Sequence, residues 1–430
     1  MEIKRVLLIN CSIDKISRNK IKKQVSSPNL GLLSIAGVLI MHGYNIKILD
    51  FFANPISREE YNSILKTFDP DVIGFSVYTR TTPFLKKILT ITNSLEYKGI
   101  YVAGGPHASF AVEEMLNELE IDYVIRGEGE FTFLRLLESL KYPQLLQLDR
   151  IEGISYKKDS QIINNNDVKN IDILDALPLQ PIGLINPKDY SSPFTLITSR
   201  GCPGHCIYCA SRTLSGCRYR MRTAENIICE IIFLFKKLHT NKFIILDDTF
   251  TANESRVKRF CGLLKHTEEN FVFRIESRVD SVNSEIIDLL KSVNCEVIHF
   301  GIESGSQDVI NKIGKRIDLN WAVQIMKYAN EQNIHVVASF IIGHYCDNEI
   351  TIKETIEFLK YLKEIGIEVS IASCTPFPGT PLYINRKKLG VEIYASSWQE
   401  YDFGNVIIST KYLSRDRLRE LLYETISEIM

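Results

Sequence analysis

This 430-residue chain contains no apolar stretch near the roughly 20 residues that a membrane-spanning helix needs. It also lacks a long run of one charge, because 51 Lys and Arg offset 52 Asp and Glu to leave a formal net charge of −1. A nonspecific nucleic-acid or anionic-membrane surface needs clustered Lys and Arg, so we expect neither partner. The amino terminus has a charged start and a short apolar run, and a secretory signal needs a longer one. What remains is the composition of a globular chain with two or three domains.

Histidine is scarce, with eight residues, whereas cysteine is not, with ten. Cys202, Cys206 and Cys209 have the spacing C-x3-C-x2-C. Three thiolates this close can ligate three irons of a cubane [4Fe–4S] cluster, which leaves the fourth iron open to a small molecule. The alternative is a structural zinc site with Cys217 or His205 as the fourth ligand.

The other seven cysteines are scattered, and many lie beside apolar residues. Free cysteine behaves as a small buried hydrophobe, so core packing is the expectation for each of them. Unpaired thiols in this number are typical of a reducing compartment, and the sequence therefore predicts a cytoplasmic protein.

The residues around the three cysteines favour the iron–sulfur interpretation. Thr195–Gly201 is an apolar, β-branched run that ends in glycine, which indicates a strand leading into a loop. With Tyr208 inside it, this loop resembles the cluster loop of radical S-adenosylmethionine (SAM) enzymes. In that family SAM chelates the open iron, and an electron from the cluster splits it into methionine and a 5′-deoxyadenosyl radical. The resemblance implies an enzyme with a [4Fe–4S] cluster, SAM and an electron donor such as flavodoxin or ferredoxin.

The first third of the chain alternates strand and helix signals. Apolar runs recur with helical segments between them, at Val6–Asn10, Asn45–Asp50, Asp71–Ser76, Gly99–Gly105 and Asp122–Arg126. Repeating βα units predict an α/β fold with a doubly wound, Rossmann-like parallel sheet over residues 1–145. Such a sheet binds ligands beyond the carboxyl ends of its strands.

Three loops follow those strand ends, at Ser76–Arg80, Gly104–His107 and Arg126–Glu130. The glycines let a flat ligand or another backbone approach closely, although tight-turn chemistry explains each loop equally well on its own. Taken in order with Pro28–Gly31, the loops resemble the cobalamin-binding domain attached to many radical SAM enzymes. The resemblance implies cofactor contacts at Ser76, Gly104, Gly105, His107, Gly127 and Glu128.

One feature of cobalamin proteins is missing. Those that ligate cobalt from below use an Asp-x-His-x-x-Gly loop after the first strand, but Asn10–Lys23 contains no histidine. The resemblance therefore implies cobalamin without a protein base beneath it, and loss of the cofactor stays open as an alternative. His107 either lines the upper face of the cofactor or caps its own turn.

A hairpin and a proline-containing linker are predicted over residues 146–194. Glu152–Ile163 alternates apolar and polar residues and turns at Lys158–Ser160. Four prolines between residues 171 and 194 indicate an extended path.

From residue 195 the βα rhythm resumes. Strands are predicted at Thr195–Arg200, Lys242–Asp247, Val272–Glu276, Val297–Glu303, Val336–Ile342 and Val369–Cys374. Six βα units are too few for a closed eight-stranded barrel, so we expect an open, partial (β/α)6 barrel of TIM type over residues 195–381, as the resemblance also implies. A tail over residues 382–430 ends in an amphipathic helix. The active site should lie at the carboxyl ends of the strands.

Charged side chains stand at the second and third of these strand ends. Asp247 and Asp248 can accept hydrogen bonds from an amine, which by resemblance is the SAM amino group, or they can cap the following helix. Arg278 is expected either to bind the SAM carboxylate or to pair with Glu276.

The later strand ends carry small and polar residues. By resemblance, Glu303 and Ser304 lie at the ribose or methionyl end of SAM. Gly343, Thr375 and Pro376 lie beside its adenine.

Together these features predict a cobalamin-dependent radical SAM enzyme, with C-methylation of a small metabolite as the first hypothesis. One alternative keeps radical SAM chemistry but uses the first domain as a scaffold or docking module. Another is a noncatalytic cobalamin or iron–sulfur sensor, which the strand-end residues disfavour.

Overall fold

The computed structural model describes residues 2–13 and 27–429. The chain divides into two compact units, Met1–Pro193 and Phe194–Met430. The predicted loop tract from Asp14 to Lys23 lies outside the described residues. Among the described residues, no helix has both the length and the apolar character to cross a bilayer.

The first unit is built on one sheet. Its strands in the described residues are β1 (Arg5–Asn10), β2 (Asn45–Asp50), β3 (Val72–Ser76), β4 (Ile100–Gly104), β5 (Tyr123–Ile125), β6 (Ile154–Lys158) and β7 (Gln161–Asn164). The order across the sheet is β2-β1-β3-β4-β5-β6-β7. The first five strands are parallel, whereas β6 and β7 are antiparallel. The predicted parallel sheet is confirmed, and the hairpin extends it at one edge.

Helices cover both faces of this sheet. They are α1 (Leu30–Met41), α2 (Arg58–Phe68), α3 (Thr82–Ser94), α4 (Pro106–Phe110) and α5 (Glu130–Lys141). Successive residues of a strand point to opposite faces, so Leu7 and Ile9 belong to one apolar core and Val6 and Leu8 to the other. Two buried faces explain why β1 is a continuous apolar run.

The second unit contains an open parallel sheet. Its described strands up to residue 373 are β8 (Thr195–Leu196), β9 (Ser199–Arg200), β10 (Arg220–Met221), β11 (Lys242–Ile245), β12 (Val272–Ser277), β13 (Cys295–Glu303), β14 (His335–Ile342) and β15 (Glu368–Ser373). Six of them form the order β15-β14-β13-β12-β11-β8, all parallel. The predicted partial barrel is confirmed. Its first strand is shorter than expected because Ser199–Arg200 leaves the sheet to pair with β10.

Helices and a short ladder complete this unit. The helices are α6 (Ser211–Ser215), α7 (Ala224–Leu238), α8 (Glu254–Lys265), α9 (Ser284–Lys291), α10 (Gln307–Lys312), α11 (Leu319–Glu331), α12 (Glu349–Glu364), α13 (Pro381–Ile384) and α14 (Arg415–Ile429). Two further strands, β16 (Glu392–Ile393) and β17 (Ile408–Ser409), pair with each other. As predicted, the last helix is amphipathic: Leu418 and Leu422 pack with Ile352 and Ile356 of α12.

All ten cysteines are free thiols. Core packing is confirmed for five of the seven outside the cluster motif, which are Cys11, Cys261, Cys295, Cys346 and Cys374. It is wrong for Cys217 and Cys229, which are exposed. Cys229 follows buried Ile227 and Ile228 in sequence but points away from the face of α7 that packs.

Candidate active site

The three-cysteine loop is held at both ends. The antiparallel pair β9 and β10 joins the chain before the loop to the chain after it. Gly201 has φ +83°, and a Cβ there would strike the carbonyl of Arg218, so only glycine fits this crossing. A Cβ on Gly314 would likewise strike the carbonyl of His205. The loop is therefore fixed by close backbone packing.

Each cysteine sulfur has a polar neighbour. Backbone N–H groups of Gly204 and Ser211 donate to the sulfurs of Cys202 and Cys209, both at 3.4 Å. Arg278 Nη1 lies 3.8 Å from the sulfur of Cys206. Burial raises the pKa of the Cys209 thiol to about 12, against the lowering effect of the Ser211 N–H. Donors aimed at sulfur stabilise a thiolate once a metal holds it.

The three cysteines lie on one wall of a cavity of about 250 Å³. The other lining residues are Tyr208, Ser211, Asp248, Glu276, Ser277, Arg278, His299, Gly301, Glu303, Lys315 and Ser339. Within the described ranges, no three His, Cys, Asp or Glu side chains converge as ligands of a single metal ion. A zinc site needs such convergence, whereas the cysteines of a cubane bind three different irons.

The two adjacent acids after β11 have separate environments. Asp247 is buried, and its carboxylate accepts hydrogen bonds from the N–H and hydroxyl groups of Thr198 and Ser199. It also pairs with buried Arg256 at 3.5 Å. Asp248 instead opens into the cavity, where Ser211 Oγ donates to it. The sequence placed both at SAM; the structure puts Asp248 alone on the cavity wall.

Asp248 and Glu276 face the same space. Burial raises the pKa of both carboxyl groups, and the negative charges of Asp248 and Asp247 raise the pKa of Glu276 further. Two acids with raised pKa values in one cavity favour a cationic ligand between them, since it would restore their charged forms.

Arg278 is oriented by a partner that the sequence did not suggest. Its Nε and Nη2 donate to the two carboxylate oxygens of Asp280 at 2.9 and 2.7 Å. Nη2 also donates to the carbonyl of Lys315 at 2.7 Å. The sequence offered Glu276 as a possible partner, but the bidentate partner is Asp280. The remaining nitrogen points at Cys206.

Glu303 enters the cavity through an irregularity in β13. The pairing of β13 with β14 shifts register between Gly301 and Glu303, and Glu303 has φ +80°. A bulge of this kind re-aims a side chain next to an active site. The carboxylate pairs with buried Lys315 at 3.2 Å. A Cβ on Gly301 would collide with this pair, so glycine makes the room for it.

Other predicted SAM contacts surround the cavity without lining it. Ser304 is buried and bonds to Thr355 Oγ1 and to the N–H of Ser306. Gly343 has φ +92°, and its N–H donates to Asp347 at 3.0 Å. Thr375 and Pro376 are buried beyond the end of β15. Their roles at ribose and adenine stay predictions.

His344, beside Gly343, is buried. Its Nε2 lies 3.3 Å from the carbonyl oxygen of Glu303, and its ring lies 5.4 Å from that of Tyr208.

In the first unit, polar residues meet at the carboxyl edge between β1 and β3. Asn29 caps α1, and its Nδ2 donates to Asn10 Oδ1 at 2.9 Å and to Ser76 Oγ at 3.0 Å. Asn10 donates in turn to Asp50, which also accepts from Tyr190. In the strand order 2-1-3-4-5 this edge is the topological switch point, where doubly wound sheets bind their ligands.

The two glycines at the end of β4 differ in how closely the surrounding protein packs against them. Gly105 has φ +96°, and a Cβ there would press on the backbone of Val77 at 3.0 Å. At Gly104 a Cβ would make only ordinary contacts, the nearest at 3.7 Å, so the described packing does not require glycine. A flat ligand lying on the strand end would require it.

His107 is buried and engaged on both ring nitrogens. Nδ1 lies 3.2 Å from Thr79 Oγ1, and Nε2 lies 3.1 Å from Glu114. The sequence left two roles open for His107, lining the upper face of the cofactor or capping its own turn, and these contacts agree with the second.

Residues of the loop after β5 form hydrogen bonds with other segments of the first unit. The N–H of Gly127 donates to Ser109 Oγ at 3.1 Å, and Glu128 accepts from the N–H of Ile171 at 2.7 Å. Whether Gly127 and Glu128 also touch a cofactor stays a prediction.

Several cavity residues were missed by the sequence reasoning. His299 and Gly301 precede the predicted Glu303 at alternate positions of β13, and Ser339 faces them from β14. The period of two could have identified these. Lys315 follows α10 in a loop, and no local pattern points to it.

Two family models match the chain. One, described as a B12 binding domain, covers residues 21–137, and one, described as the radical SAM superfamily, covers residues 196–359. Each falls within one structural unit.

Similar proteins extend over nearly the whole length. An uncharacterized methyltransferase of Pyrococcus horikoshii is 30% identical over 98% of this chain and 91% of its own length. Cytidylyl-2-hydroxyethylphosphonate methyltransferase of Streptomyces wedmorensis is 26% identical over 82% and 76%. The cobalamin-dependent radical SAM enzyme OxsB, solved with aqua-cobalamin and SAM, has the same fold. Its TM-score is 0.80 at 19% identity, and the match covers 98% of this chain and 66% of OxsB.

The matched models imply a [4Fe–4S] cluster and SAM in the second unit and cobalamin in the first. The residues present fit these groups. Three free thiols on one cavity wall, beside carboxylates and two cations, suit a cluster and an amino acid ligand. The open strand end at Gly104, next to the switch point, suits a flat cofactor.

Proposed function

Because the chain belongs to the radical SAM enzymes that carry an amino-terminal B12-binding domain, we propose that it is a C-methyltransferase acting on a small metabolite. When bound, the cofactors supply the radical and the methyl group. The observation that carries the proposal is the combination of a three-thiol cavity with a B12-type sheet in a chain that matches, over 98% of its length, a relative named as an uncharacterized methyltransferase.

The residues of the cavity divide the work of binding. Cys202, Cys206 and Cys209 hold the cluster, and the adjacent N–H donors with Arg278 offset its negative charge. Asp248 and Glu276 accept the amino group of SAM, because burial raises the pKa of both carboxyl groups and a cation between them would restore their charged forms.

Glu303 and Lys315 act as a pair at the other side of the cavity. Their 3.2 Å contact holds the carboxylate in a fixed direction, so it can accept from a ribose hydroxyl without reorganisation. The positive charge of Lys315 offsets the buried negative charge of Glu303.

We also infer an external one-electron donor protein, since SAM cleavage consumes an electron. Ten free thiols support a reducing, cytoplasmic location for such chemistry.

The test uses anaerobic protein reconstituted with iron, sulfide and cobalamin, reduced and mixed with SAM before any substrate is added. We expect about one equivalent of S-adenosylhomocysteine per bound cobalamin, and 5′-deoxyadenosine that depends on the cluster. The matched control is Cys206→Ala, which should keep the first product and lose the second, because the cysteine belongs to the other unit.

The scaffold alternative gives a different result. If the first unit holds no cofactor, 5′-deoxyadenosine forms but S-adenosylhomocysteine does not respond to cobalamin. That outcome would refute the methyltransferase proposal.

A further inference from the structure

A second, larger concavity lies in the tail of the second unit. It has a volume of about 810 Å³, and its wall includes Tyr383, Arg386, Lys387, Glu392 and Lys411. We call this set the basic groove. Its three cations outnumber its one acid, on a chain whose net charge is −1. Exposed Lys388 adjoins it.

Aromatic rings support the cations of the basic groove. Arg386 lies 4.5 Å from the centre of the Tyr383 ring, and Lys411 lies 5.8 Å from that of Tyr412. Such contacts orient a positive charge without neutralising it, so it remains available to an acidic partner. Ile384 and Tyr412, which are 63% and 54% exposed, add apolar surface at the rim. Apolar area beside unneutralised charge is typical of a transient protein contact.

The basic groove is joined directly to the cluster loop. Tyr383 belongs to α13, and the N–H of the preceding Leu382 donates to the carbonyl of Ile207 at 2.8 Å. Ile207 lies between Cys206 and Cys209, and it packs with Leu382 in one apolar cluster. The wall of the groove is therefore one residue along the chain from a residue that is hydrogen-bonded to the cluster loop.

We propose that the basic groove is the docking site of a small acidic one-electron carrier protein. The inference rests on the proposed function, because only a cluster that must be reduced needs such a partner. In the step, the carrier loses one electron and the cluster gains it, with no proton or group transferred. Complementary charge would bring the carrier to a face of the chain that is hydrogen-bonded to the cluster loop.

The experiment measures cluster reduction by stopped flow without SAM or substrate, so that failure of methyl transfer does not affect it. Reduced flavodoxin and reduced ferredoxin are the probes, and dithionite is the small reductant that needs no docking. The test variant is Lys387→Glu/Lys411→Glu. The control, Lys236→Glu/Lys237→Glu, makes the same charge change at exposed lysines at the end of α7, before the amino end of β11.

The test variant should lose about tenfold or more in the second-order rate with at least one of the two carriers at low ionic strength. The control and the dithionite rates should match wild type. The wild-type rate should fall as salt is raised, and the variant's should fall less, because screening removes the same attraction. Lys387→Ala/Lys411→Ala should lie between the two.

Three results would overturn the proposal: equal carrier rates in variant and control, an equal loss with dithionite, or no salt dependence in wild type. Binding of inorganic phosphate or RNA to the groove with unchanged carrier kinetics would assign it to another partner.

Discussion

Asp247 and Asp248 are neighbours in sequence, but the structure predicts that replacing Asp247 by Asn lowers stability, whereas replacing Asp248 by Asn weakens SAM binding. Asp247→Asn removes a charge that is buried with Arg256, since the two residues are 1% and 5% exposed. The asparagine oxygen can still accept from the N–H groups of Thr198 and Ser199, at 2.6 and 3.0 Å. Its amide nitrogen would face Arg256 Nη2, so a donor meets a donor.

Breaking a buried ion pair costs about 3–5 kcal/mol, because one charge is left uncompensated. Arg256 keeps the carbonyls of Thr198 and Phe250, at 3.0 and 2.8 Å, which places the cost at the lower end, about 3 kcal/mol. In a domain of this size each kcal/mol lowers Tm by roughly 2–4 °C, so we expect a loss of about 6–12 °C.

Asp248→Asn should behave differently, because Asp248 opens into the cavity and loses only one charged bond from Ser211. We expect a stability change within about 0.5 kcal/mol and SAM binding weakened roughly tenfold, the worth of one charge-assisted hydrogen bond.

The assay pairs thermal unfolding, followed by circular dichroism under anaerobic conditions, with SAM affinity measured below the lower Tm. Asp247→Asn protein should bind SAM with the wild-type Kd. If instead Asp247→Asn weakens SAM binding and leaves Tm unchanged, Asp247 is a ligand and the reasoning is refuted.

Three further predictions concern the cofactors. Reconstituted wild type should carry about four irons and four sulfides per chain, whereas Cys206→Ala should lose cleavage of SAM to 5′-deoxyadenosine; stoichiometric zinc with normal 5′-deoxyadenosine formation would contradict this. Adding SAM should perturb the electron paramagnetic resonance spectrum of the reduced cluster, and an indifferent spectrum would remove the open-iron argument. Bound cobalamin should show no nitrogen hyperfine splitting from the protein, because the first unit has only His42, which bonds to the carbonyl of Val38, and His107, whose nitrogens are both engaged; strong splitting would contradict it.

The predictions that succeeded depended on local pattern. The alternation of Val6, Leu7, Leu8 and Ile9 between two cores is a property of an extended strand, and it reads directly as a sheet covered on both sides. The spacing of the three cysteines brings their sulfurs to one wall for the same reason, since a short loop cannot carry them far apart. Each inference used residues only a few positions apart.

The contacts that failed to follow from sequence join side chains that no periodic pattern pairs. Asp247 pairs with Arg256 and the chain at residue 198, Arg278 pairs with Asp280 rather than Glu276, and Lys315 reaches Glu303 across a bulge. The alternation of side chains along a strand predicts the face to which each side chain points, but it does not predict which residue of another element lies next to it.

The sequence by itself therefore determined the two α/β sheets, and it predicts the cluster cysteines and the edge of each sheet where ligands should bind, because strand periodicity and short spacings are set by backbone geometry. Only the tertiary structure decided which of two adjacent acids faces the cavity, that both nitrogens of His107 are engaged, and that a basic groove adjoins the cluster loop. These features depend on packing between segments that are tens to hundreds of residues apart. Because a buried polar group is costly unless it is hydrogen-bonded, each one bonds to whichever element the fold places beside it.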